Sequence, residues 1–156
     1  RRWQVHFNLA QAQYQCGRIP DALKNHRQAH RIALEARNPS PWPLARLAGI
    51  LIVEGRLEEA EQALAEVASL FPDVIDWRTT RAQLRIAQGR FEDALADARV
   101  TWDYGRPHER KKALTPLVEA LIRLGKTAEA RRALDQYPTL NNRTLVRLRK
   151  ELGLGR

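Results

Sequence analysis

Methionine is absent from this sequence, and cysteine occurs once, at Cys16. One thiol excludes an internal disulfide framework and a thiolate zinc cluster, and it fits a reducing compartment. Long apolar runs are missing too. The longest candidate, residues 44–53, is broken by Arg46 and stops at Glu54, which excludes a membrane-spanning helix. No secretory leader opens the chain, and a cytoplasmic location is expected. A start at Arg1 with no methionine anywhere reads as a piece of a longer polypeptide. There is no phosphate-cradling glycine loop, nucleophile elbow or dinucleotide fingerprint, so neither an enzyme nor a cofactor is expected.

What the sequence does have is basic charge, unevenly spread. Lys and Arg number 27 against 18 Asp and Glu, a net charge of +9 over 156 residues. Residues 1–40 hold seven basic and two acidic side chains, residues 41–76 two and seven, and residues 77–156 eighteen and nine. An acidic segment between basic ones is not a continuous phosphate-tracking stripe. It suits patches that meet different partners, or each other.

Glycine sets a period. Gly17, Gly55, Gly89 and Gly125 are spaced 38, 34 and 36 residues apart, and a similar phrase follows each. The phrases are Gly17-Arg18-Ile19-Pro20-Asp21-Ala22, Gly55-Arg56-Leu57-Glu58-Glu59-Ala60, Gly89-Arg90-Phe91-Glu92-Asp93-Ala94 and Gly125-Lys126-Thr127-Ala128-Glu129-Ala130. Each reads as a helical hairpin. Glycine ends the first helix in a left-handed conformation, carboxylates open the second where the helix dipole favours them, and the small alanine lets helices approach closely. Helices are expected near 2–16, 19–37, 42–54, 57–70, 74–88, 91–104, 108–124, 127–136 and 141–152, and no strands. Repeats at this period bury their apolar faces by stacking on their neighbours.

These four phrases in register, with Leu9-Ala10, Leu47-Ala48 and Leu117-Val118, resemble the tetratricopeptide repeat family over essentially the whole chain. The resemblance implies one all-α domain. It would be a right-handed α-solenoid of four hairpins (about 2–38, 41–72, 74–106 and 108–138) with a capping helix at about 141–152. It further implies a scaffold that binds a protein or peptide, or a second copy of itself, in a concave groove lined by first helices. Phe7, Gln11, Tyr14, Trp42, Arg46, Gly49, Ile52 and Gln83 match groove positions. The family's carboxylate-clamp positions read Phe7, Gln11, Arg46, Asp76 and Thr80, or Ala45, Gly49, Thr80, Lys112 and Pro116. Only Lys112 has clamp chemistry, so a carboxylate clamp is not expected. Gly49 would admit a ligand closely or make room for Trp42. The long first repeat is also similar to the looser repeats of large bacterial transcriptional regulators, which implies a sensor or effector region as an alternative.

Two further constellations bear on chemistry. His26 and His30 have a chelating spacing, but His26 falls on the inward face and no third ligand is evident, so no metal site is expected. In the third repeat, Arg78, Arg81 and Arg85 stand where the family has large apolar residues. Rotating the helix by one residue would bury Trp77, Leu84, Ala87 and Thr80 and bring the arginines to the surface, toward water or toward Asp73, Asp97 or Glu92. With Arg110, Lys111 and Lys112 they would form an anionic-ligand patch, the place where nucleic acid, as an alternative partner, would bind.

Overall fold

The computed structural model describes residues 2–154. Among them are nine helices and no strand: α1 (Arg2–Gln15), α2 (Ile19–Glu35), α3 (Trp42–Val53), α4 (Leu57–Leu70), α5 (Asp76–Ala87), α6 (Phe91–Tyr104), α7 (Pro107–Arg123), α8 (Thr127–Asp135) and α9 (Arg143–Glu151). This is the all-α helical-repeat class that the sequence implies. No helix among the described residues is long and apolar enough to cross a membrane. The chain divides into two compact units, residues 1–77 and 78–156.

The repeated phrase works as a hinge between two helices. Gly17, Gly55, Gly89 and Gly125 have φ of +74°, +72°, +73° and +73°, a conformation that a Cβ would strain. The next residue donates its N–H back to the ending helix: Arg18 to Gln13, Arg56 to Leu51, Arg90 to Arg85 and Lys126 to Leu121, each at 2.8 Å. That bond satisfies a carbonyl the helix end would leave orphaned. The arginine then clips the first turn of the following helix, through Arg18–Asp21, Arg56–Glu59 and Arg90–Asp93 ion pairs of 2.6–2.7 Å. In the fourth phrase Glu129 pairs instead with Arg99 of α6. Ala22, Ala60, Ala94 and Ala130 are all fully buried, as close helix crossings require.

In the first unit, α1 packs on α2, α2 on α3, and α3 on α4. Basic α2 meets acidic α4 through Arg27–Glu59 and His30–Glu66, so these two charged segments face each other. His26 turns the other way and is fully buried against the Phe7 ring, with centroids 5.4 Å apart. In the second unit, α6 packs on α7, and α7 on α8 and α9. One apolar cluster runs from Ala82 through Leu95, Leu114, Val118 and Leu134 to Leu148 and Leu152. Leu145 and Leu148 bury the inner face of α9, which covers the last hairpin as expected.

Helix α5 corrects one expectation. Trp77 and Leu84 are buried, and the Trp77 indole N–H donates to the Phe71 carbonyl at 3.1 Å. Ala87, however, is exposed, Ala82 is buried in its stead, and the helix has not rotated. Arg78 and Arg81 keep the inward register with side chains only 27% and 25% exposed. Both converge on Asp97 of α6. Arg81 grips its carboxylate with two bonds of 2.7 and 2.6 Å, and Arg78 approaches to 3.5 Å. A carboxylate placed opposite removes the penalty of an unpaired inward guanidinium, so the register has no reason to shift.

Candidate functional site

The residues singled out from the sequence fall into three environments. Phe7, Gln11 and Tyr14 lie on α1, half-buried. The Phe7 ring stands edge-on to Trp3 at 6.1 Å and to His26 at 5.4 Å, so it belongs to the packing of α1 on α2. Trp42 and Arg46 are exposed on α3, one turn apart, and Ile52 is half-buried further along the helix. Burial and then the Arg46 charge lower the His26 pKa from 6.5 to about 4, which places that guanidinium within electrostatic reach of the Phe7–His26 pair. Nothing lies within 4 Å of where a Cβ on Gly49 would stand. The space above Gly49 is open, so the glycine is not making room for Trp42.

The basic set of the second unit is divided by its place in the fold. Arg78 and Arg81 are turned to Asp97, and Arg85 reaches Gln88 at 3.4 Å. Arg110 donates to the carbonyls of Gly105 and Asp103 and so braces the start of α7. The same junction holds Glu109, which is buried and accepts from the backbone N–H and guanidinium of Arg106. Those hydrogen bonds hold its carboxyl below the ordinary range.

Lys111 and Lys112 line a concavity of about 580 Å³ with Gln83, Thr115, Leu140, Asn142, Arg143 and Thr144. Its walls come from α5, α7 and the start of α9. Asn142 fixes that corner: its Oδ1 accepts from the Leu145 N–H at 2.8 Å, and its Nδ2 donates to Thr115 Oγ1 at 3.0 Å. One side chain thus caps α9 and ties it to α7. Three cationic side chains line the space and no carboxylate does. Sequence reasoning assigned Gln83 to the peptide groove and Lys111 and Lys112 to a separate anionic-ligand patch, and it did not single out Arg143 and Asn142, having read the last helix only as a cap. The signal was there in Asn142, an N-cap residue just before the periodic leucines.

A second concavity of about 300 Å³ lies among α6, α7 and α8, lined by residues that include Arg99, Trp102, Glu129 and Arg132. The Arg99–Glu129 ion pair of 2.7 Å crosses it, and both charge signs are present. It offers less preference for a ligand of one sign.

Search of curated proteins finds no match to the sequence. Two family models, both of the tetratricopeptide repeat, do match it: one over residues 24–84, the other over residues 3–23 and 112–136. The matched stretches include three of the four glycine-marked hinges or their flanks, and they agree with the hairpins seen in each unit. The chain belongs to the tetratricopeptide repeat family, whose members are typically non-enzymatic scaffolds for protein interactions.

Proposed function

We propose that this chain is a non-catalytic scaffold that binds a protein or peptide, and that the concavity of its second unit takes an acidic segment of that partner. The observation that carries this reading is the lining of the site: Lys111, Lys112 and Arg143 around one space without a carboxylate. Gln83 and Thr115 supply neutral hydrogen-bonding groups, and Leu140 an apolar floor. A volume of about 580 Å³ holds a few residues of an extended chain. On the first unit, exposed Trp42 and Arg46 are anchors of the type that dominates interface energies. Nucleic acid fits less well, because the guanidinium forks of Arg78, Arg81 and Arg110 are already engaged by Asp97 and by backbone carbonyls.

The test is an anisotropy titration with a labelled hexaglutamate peptide and its hexaglutamine analogue. The acidic peptide should bind more tightly, and raising salt should weaken it. The variant Lys111→Glu/Lys112→Glu/Arg143→Glu should lose at least about tenfold in affinity, the scale of 1.4 kcal/mol. Unchanged affinity in that variant, or equal binding of the two peptides, would remove the site from this concavity.

A further inference from the structure

The carboxylates of the first unit are not all engaged within it. Glu59 pairs with Arg56 and Arg27, and Glu66 with His30. Glu54 and Glu58 are exposed on either side of hinge Gly55, and among the described residues neither has an ion-pair partner. Beside them Val53, the last residue of α3, is 70% exposed. Of the four hinges only this one has a carboxylate directly before its glycine, where the others have Cys16, Gln88 and Leu124. At the position of Val53 they have Gln15, Ala87 and Arg123. The second hinge thus displays an apolar side chain flanked by two free carboxylates.

The concavity of the second unit has the complementary chemistry. Lys111 and Arg143 are exposed on its wall, without an ion-pair partner among the described residues. Lys112 adds a third cation, and Leu140 lies among them, half-buried. Resting on the acidic-segment reading of that concavity, we propose that the segment it takes is the Val53-Glu54-Gly55 hinge of a second copy of this chain. Val53 faces Leu140, and Glu54 and Glu58 sit among Lys111, Lys112 and Arg143.

Charge selects this mode of approach. Residues 78–156 hold the whole net charge of +9 and residues 1–77 none, so two second units repel while a first unit meets a second one without that barrier. Hinge and concavity are different surfaces, which makes the contact heterologous. Ion pairs this exposed are screened by salt, so the association weakens as salt is raised.

The experiment is sedimentation velocity of the full chain over a range of concentrations at low salt. The average mass should rise with concentration, and excess hexaglutamate should return the chain to monomer. Lys111→Glu/Lys112→Glu/Arg143→Glu and Glu54→Lys/Glu58→Lys should each raise the concentration needed for association at least about tenfold. All five positions are exposed, so the helical circular dichroism should not change. If the lysine variant fails to fold, Glu54→Gln/Glu58→Gln tests the same hinge. An equimolar mixture of the two charge-reversed variants should associate again, because an intact hinge on one meets an intact concavity on the other. A wild-type chain that stays monomeric at low salt overturns the proposal, and its binding of hexaglutamate would leave the acidic-segment reading standing. Association that persists in both variants, or a mixture no better than either alone, overturns it as well.

Discussion

His26 illustrates how a single residue can carry a pH dependence for the whole first unit. It is fully buried, both ring nitrogens lack a protein hydrogen-bond partner, and Phe7 packs edge-on against it. Burial, with the nearby charge of Arg46, brings its pKa down from 6.5 to about 4. Between those values the unfolded chain binds a proton that the native protein does not. Native stability is therefore complete above about pH 6.5 and falls as the pH drops toward 4, by up to about 3 kcal/mol. The counterparts of His26 in the other repeats are Leu64, Ala98 and Leu134, all buried. His26→Leu should remove this contribution to the slope and stabilise the protein at pH 5. Urea unfolding at pH 7 and pH 5 measures it, and equal slopes in wild type and variant would mean that the imidazole titrates normally. Its inward position was legible from helical spacing. Its missing partners were not, because they depend on what α1 and α3 bring near it.

At the scale of helices, the hairpins alternate in the chemistry of their internal seam. Counted from the hinge glycine, the second and fourth have Leu44, Leu47 and Leu51, or Leu114, Leu117 and Leu121, on the first helix and Ala63 or Ala133 on the second. The first and third are polar at the corresponding places, Leu9 excepted. His6 and Gln13 meet Asn25, and Arg78 and Arg81 meet Asp97. Every helix boundary expected from the sequence lies within two residues of the observed one, because glycine hinges and flanking prolines act locally. Asp97 was among the carboxylates expected for these arginines, but their inward register was misjudged, because pattern along one helix cannot show which acid of another helix stands opposite. This pairing makes a double prediction. Asp97→Ala should destabilise by about 3–5 kcal/mol, since it leaves inward guanidinium groups without their carboxylate. Adding Arg78→Leu, Arg81→Leu and Arg85→Leu rebuilds the seam of the even hairpins, and it should recover most of that loss or exceed wild type. Equilibrium denaturation of both variants decides it. A fourfold variant no more stable than Asp97→Ala would mean that the arginines contribute mainly through other contacts.

For the whole molecule, charge and fold divide at the same place. Residues 1–77 contain nine basic and nine acidic side chains, so the entire net charge of +9 belongs to residues 78–156. The sequence showed this partition, but not that it coincides with the boundary between two compact units, which depends on contacts. The apolar cluster of the second unit draws all its members from residues 82–152, and the lining of its basic concavity lies within the same span. A fragment of residues 71–156, which keeps the Trp77–Phe71 bond, has what it needs to fold and to present that concavity. It should show helical circular dichroism with a cooperative thermal transition. It should also bind hexaglutamate with the affinity and salt dependence of the full chain, because long-range attraction of an anion comes from the net charge around the site. Residues 1–77 alone, electrically neutral, should bind that peptide at least about tenfold more weakly, again about 1.4 kcal/mol. A folded 71–156 fragment that ignores the acidic peptide, beside a full chain that binds it, would move the site into the first unit. Trp42 and Arg46 would then be the residues to substitute next.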